Sequence, residues 1–211
     1  MKKILILLIG LLFFQCGPAR MTNTWLNDEY INYSPKKVLV VGVTNNLIAR
    51  KLFEEQLSRE LQVRGIKAAE SYHVLPADFS TGKQTEKAIQ KQLDKFTSQD
   101  FDAVLVSAVK GIENRRYYTQ PYTTSGIYFR RFRRYYFQYQ NIYYTPGYYD
   151  RYKVYHLETA LFDITKDNER SLIWVGSYDL VDPKNISNTV SDYTRRIINS
   201  MEKERIIPIK N

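Results

Sequence analysis

Two segments, Lys37–Val43 (KVLVVGV) and Phe101–Val109 (FDAVLVSAV), are apolar at nearly every position and show no alternation between faces. A strand with that pattern is covered on both sides, the environment of a parallel sheet flanked by helices. The sequence between them fits this reading. Thr44 or Asn45 caps a helix in which Leu47, Ile48, Leu52, Phe53, Leu57, Leu61 and Val63 recur at helical spacing, and Gly65 stops it. Ile66–Tyr72 reads as a second strand. Gln84–Phe96 reads as a polar helix with a narrow stripe of Ala88, Ile89, Leu93 and Phe96. This β-α-β-α-β order predicts a parallel sheet with right-handed crossovers.

Beyond Val109 the pattern changes. Val154–Ile164 and Leu172–Leu180 read as long strands joined by the polar segment 165–170, which predicts an antiparallel hairpin. Ser187 or Asn188 opens a last helix running to about Glu204, with Val190, Tyr193, Ile197, Ile198 and Met201 inward. Ile206-Ile207-Pro208-Ile209 reads as a short edge strand. The expectation is an α/β fold: a single domain over 37–211 with a mixed sheet of about five strands, a C-terminal helix and one long insert at 115–153.

The N-terminus carries an address. Lys2 and Lys3 precede eleven apolar residues, Ile4 to Phe14, and Gln15-Cys16-Gly17 follow. Eleven residues fall short of the roughly 20 needed to cross a bilayer, so the run reads as the core of a secretory signal over 1–15. Cys16 is the only cysteine, which leaves no partner for a disulfide in an oxidising compartment. Its position resembles the lipid-acceptor cysteine of bacterial lipoproteins, although Gln15 replaces the small residue usual before it. The resemblance implies lipidation (palmitate) at Cys16 and a membrane anchor. No aspartate follows the cysteine, which in lipoproteins implies the outer membrane, and no acidic surface-export signal follows it, which implies the periplasmic face. Residues 16–36 read as a lipidated tether, with Trp25 and Tyr30 docking on the domain.

Several pieces together resemble a family of uncharacterised bacterial lipoproteins and envelope proteins. They are Trp25, KKVLVVGV (36–43), FEEQLSRELQVRGIKAAESYHVLP (53–76), FDAVLVSAV (101–109), LIWVGSYDLVDP (172–183) and IIPI (206–209). The architecture is similar to that of TolB N-terminal domains, of the outer-membrane lipoproteins that activate cell-wall synthases, and of the curli-secretion lipoprotein. The resemblance implies binding or assembly rather than catalysis, and carries no site residue with it.

Catalytic motifs are sparse. The turn 42–46 lacks the glycines and lysine of a phosphate loop, and no G-x-S-x-G elbow occurs. No cofactor motif is present. His73 and His156 are the only histidines, and neither has the neighbours in sequence that a metal site needs. His156 and Glu158 alternate onto one strand face, so the competing reading is a small envelope hydrolase built on that pair.

The insert is the unusual feature. Seven arginines and one lysine face a single acid, Asp150, and 12 of the 18 tyrosines lie here, while the rest of the mature chain is close to neutral. Read as a strand, its heart places Tyr128, Arg130, Phe132, Arg134 and Tyr136 on one face, and Phe129, Arg131, Arg133, Tyr135 and Phe137 on the other. Neither face is apolar enough for core. Tyr and Arg are residues that interfaces favour. The reading is a binding surface with Arg130, Arg131, Arg133 and Arg134 as charge contacts, and Tyr128, Phe132, Tyr135 and Tyr136 as aromatic anchors. Four partners fit: an envelope protein (self-assembly included), anionic lipid, peptidoglycan or another glycan, and single-stranded nucleic acid, against which export argues. The bland alternative is a solvated loop. Replacing Cys16 with Ser is expected to abolish incorporation of an alkynyl fatty acid in cells and to release the protein from the membrane fraction. Labelling and fractionation check both.

Overall fold

The computed structural model describes residues 19–31, 33–76, 79, 82–114, 130–139, 153–166, 171–181 and 183–210. Residues 1–15, read as a signal peptide from their sequence, and Cys16, Tyr128 and most of the insert lie outside the described residues. The described residues form a mixed α/β domain with six strands: β1 (Ala19–Leu26), β2 (Lys37–Val43), β3 (Lys67–Glu70), β4 (Ala103–Asn114), β5 (Lys153–Asp163) and β6 (Leu172–Val181). Their order across the sheet is β1-β6-β5-β4-β2-β3. β2 pairs in parallel with β3 and β4, whereas β4–β5, β5–β6 and β1–β6 are antiparallel.

Helices cover both faces. Helix α1 (Leu47–Gln62) and helix α5 (Ile186–Lys203) pack side by side on one face, burying Phe53, Leu57, Leu61, Tyr193, Ile197 and Met201 against Val38, Leu105, Leu161 and Trp174. The other face receives α3 (Glu86–Ser98) and α4 (Phe132–Tyr139), with a short α2 (Ser71–Val74) at the corner after β3. The continuous apolar runs are therefore central strands, as their sequence predicts.

The helix ends share one device. Gly65, Asp100 and Arg205 have positive φ, and the N–H of the next residue returns to a carbonyl five positions back: Ile66 to Leu61, Phe101 to Phe96, Ile206 to Met201. Each of these following residues is buried, so one left-handed residue turns the chain and an apolar plug seals the helix. The segment 206–209 is accordingly not an edge strand: Ile206 and Ile207 plug the core under α5. The start caps are Asn46 and Asn185, whose side chains accept from Ala49 and Asn188 N–H.

The largest departure lies at the N-terminus. The tether read over 16–36 contains β1, an eight-residue edge strand, and Trp25 and Tyr30 dock on the domain. The ARMTNTWL sequence of β1 offers no apolar run because its pairing uses backbone along the rim of β6. Its first residue is gripped from the far end of the chain: the Ala19 N–H donates to Asp192 Oδ2 on α5 at 3.0 Å. Burial alone would raise the Asp192 pKa, but that N–H together with the Arg195 and Arg196 guanidiniums outweighs it and holds the carboxyl below its ordinary value. A depressed folded-state value means this stabilisation is present above the ordinary value of 3.8 and is lost as pH falls through the folded value. The stability gap between the parent and Asp192→Asn is therefore expected to close as pH drops below that value, read as urea midpoints across the acid range.

Candidate functional site

The described part of the insert is a helix. A 3.6-residue period brings Phe132, Tyr135 and Tyr136 to one face, where a two-residue period would split them. All three are buried, Tyr135 to 1% exposure. Phe132 and Tyr135 meet Phe162 of β5 edge-on at 6.0 and 5.7 Å, and Tyr136 reaches Phe79 at 5.7 Å. The Tyr135 hydroxyl donates to the Glu158 carbonyl at 2.8 Å, and Ser171 Oγ donates to the Arg130 carbonyl at 2.5 Å. Phe132, Tyr135 and Tyr136 are thus core residues that fasten α4 to the sheet, which corrects their reading as surface anchors. The signal was present in the sequence as an i, i+3, i+4 aromatic triplet, hidden among arginines.

The arginines divide. Arg130 and Arg134 are exposed; Arg131 and Arg133 are half-buried, and Arg133 Nη1 lies 3.5 Å from Glu86 Oε2 of α3. Arg131, Gln90, Asp94, Ile164 and Lys166 line a cleft of about 110 Å³ between α3, α4 and the β5–β6 turn. That is well below the roughly 300 Å³ of ordinary small-molecule pockets.

On the same sheet face, where β4, β5 and β6 run on past β2, lies a band of charge. His156 Nδ1 sits 2.7 Å from Asp179 Oδ1, its cross-strand neighbour, and Nε2 is 3.7 Å from Glu113 Oε2. Glu158 is buried and its Oε2 accepts from Lys110 Nζ at 2.6 Å. Burial pushes the Glu158 carboxyl above its ordinary value, and Lys110 offsets part of that rise. His156 and Glu158 do share a face, yet each is committed to a different partner, and neither lines the cleft. The base–orienter pair that the hydrolase reading requires is not assembled. His73 is exposed, 3.5 Å from Glu70. Among the described residues no group of three or more His, Cys, Asp or Glu side chains could hold a metal ion. None of the described helices is long and apolar enough to cross a membrane.

Comparison with known proteins adds no family: no family model and no curated protein matches the chain. Solved structures resemble it distantly. A PelC dodecamer from Paraburkholderia phytofirmans is 14% identical, covering 89% of this chain and 96% of that one at a TM-score of 0.39. A point variant of the same dodecamer is 13% identical, covering 90% and 99% at 0.39. Lipoprotein GNA1162 from Neisseria meningitidis is 13% identical, covering 80% and 99% at 0.36.

The packing of α4 gives a graded expectation. Tyr135→Phe removes one buried hydrogen bond and should lower stability by about 1 kcal/mol. Tyr135→Ala opens a cavity beside Phe162 as well and should cost roughly 3–5 kcal/mol, measured by urea unfolding.

Proposed function

We propose that the chain is a non-catalytic binding or assembly module of the bacterial cell envelope, lipid-anchored at Cys16 in the outer membrane and facing the periplasm. Its contact surface is the basic, tyrosine-rich insert 115–153, and its partner is an acidic or anionic envelope component. The observation that carries this reading is the split character of α4. One face of the helix is pinned by Phe132, Tyr135 and Tyr136, and this holds Arg130 and Arg134 on the outside with Phe137 beside them. Arg134 on the pinned helix, and Arg130 just ahead of it with its carbonyl held by Ser171, lose less freedom on binding than cations on a loose chain, so their contacts yield more affinity. The neighbouring charges do not compete for the same partner, since His156 is paired with Asp179 and Lys110 with Glu158.

The test is in-cell photo-crosslinking from Phe137, an exposed residue of α4. A discrete adduct is expected, and it should disappear in the Arg130→Ser, Arg134→Ser double variant while thermal stability stays nearly unchanged, because exposed arginines contribute at most about 1 kcal/mol. A strain that loses no adduct with both arginines replaced, and is unaltered by deletion of the insert, would overturn the reading. An adduct with lipid or glycan in place of protein would fix the chemical class of the partner.

A further inference from the structure

The strand directions place several features at one end of the domain. β2, β3, β4 and β6 run one way, and β1 and β5 the other. The start of β1, the last residues of β4 and β6, the first of β5, and the N-termini of α1 and α5 therefore all lie at the same edge of the sheet. Ala19 is there, fully buried and held by Asp192. So are Asn114, just before the insert, and Lys153, its last residue.

Five of the nine large exposed apolar side chains among the described residues lie at that end. Leu47 and Ile48, the first two residues of α1, are 62% and 65% exposed. Ile186, the first residue of α5, is exposed, as are Ile112 on the overhanging part of β4 and Met21 on β1. Helix starts usually carry Asp or Glu, which the helix dipole favours. The first turns of α1 and α5 carry none, and present isoleucine and leucine to solvent. Arg20 is exposed on β1 beside them, and in sequence Arg115, Arg116 and Arg151 adjoin the insert's ends.

The length of chain between this end and the anchor decides what covers it. Resting on the reading of Cys16 as the lipidated residue, only Gly17 and Pro18 stand between it and Ala19, and these three backbone steps reach at most about 10–11 Å. The headgroup layer is itself about 5–7 Å thick on each side of the hydrocarbon. A domain whose first strand begins that close to the lipid cannot swing away from the bilayer. We infer that the domain docks on the membrane surface through this end, with Leu47, Ile48, Ile112 and Ile186 entering the interfacial region. The occupant of the apolar rim is the lipid bilayer, not a second protein. Burial of such side chains at the headgroup boundary, assisted by nearby cations on anionic lipid, is the way interfacial elements bind. The chain then enters and leaves the insert at the membrane, whereas Arg130, bonded to Ser171 ahead of β6, lies at the opposite end of the sheet.

Single reporters test this on the full chain, purified from membranes and returned to vesicles of phosphatidylethanolamine and phosphatidylglycerol. Ile48→Cys, Ile186→Cys and, at the opposite end of α1, Val63→Cys each take a bimane label. Brominated acyl chains are expected to quench the labels at 48 and 186 and to leave that at 63 bright. Equal brightness at all three positions overturns the docking, as does protection at 48 and 186 that appears only when envelope proteins are added. The intact mass of the parent chain reports the anchor separately. An unlipidated Cys16, which would also take the label itself, overturns the anchor reading, whereas a lipidated chain with unquenched 48 and 186 overturns the docking alone.

Discussion

Four donors converge on the two carboxyl oxygens of Glu54, a residue with no exposed surface. The Gly42 N–H and Arg50 Nε approach Oε1 at 2.9 Å, Ser71 Oγ joins them at 2.7 Å, and the Tyr72 N–H reaches Oε2 at 3.2 Å. An acid buried away from water is costly unless its oxygens are satisfied, and here they are satisfied by three different elements. Gly42 is the next-to-last residue of β2, Arg50 lies a turn ahead on α1, and Ser71 and Tyr72 open α2 after β3. The parallel half of the fold thus turns its corner around one side chain. Gly42 leaves room for it, since a methyl group there would stand 3.3 Å from Arg50 Cγ. The direction in which α1 leaves the sheet, and hence where its exposed first turn lies, follows from this cluster.

The antiparallel half is tied to the same helices through Tyr193 of α5. Its hydroxyl lies 2.7 Å from Ser107 Oγ of β4 and 2.5 Å from Thr159 Oγ1 of β5, and its ring meets Phe53 and Tyr178. Burial raises its pKa, so the hydroxyl stays neutral and able to donate. Gly176 fits the same packing. A Cβ there would meet the Trp174 ring at 2.7 Å and the Tyr178 hydroxyl at 2.8 Å, so these two large side chains close over a residue that must have none. One polar cluster in each half, around Glu54 and around Tyr193, joins elements that are separated in sequence.

The legible parts of the sequence were those in which local pattern and tertiary role agree. Val38–Val43 and Ala103–Val109 are apolar because both faces of their strands are covered, and the amphipathic stripe of α5 is the face it buries. β1 escaped because an edge strand needs backbone donors and acceptors more than apolar side chains. Helix α4 escaped for a different reason: Arg130 to Arg134 raise the polarity of a segment whose inward face is aromatic, so composition concealed period. Of the proposed site, the exposed Arg130 and Arg134 stand where a surface role needs them. Phe132, Tyr135 and Tyr136 do not, because a ring that contributes to an interface and a ring that fills a core are the same residue until its neighbours are known. His156 and Glu158 faced the same way as strand alternation requires, yet cross-strand partners, which no single strand reveals, had already taken them.

The grip of Asp192 on Ala19 joins residues 173 positions apart. A chain emerging N-terminus first has to present nearly its whole length before that contact can form, and loop closure over such a span is among the slower steps of assembly. β1 adds to β6, itself late in the chain, so the first strand in sequence is among the last to find its place. Until β6 and α5 are in place, the Ala19 N–H and the backbone of β1 lack their native partners, so the N-terminal edge of the sheet is sealed only at the last stage of assembly.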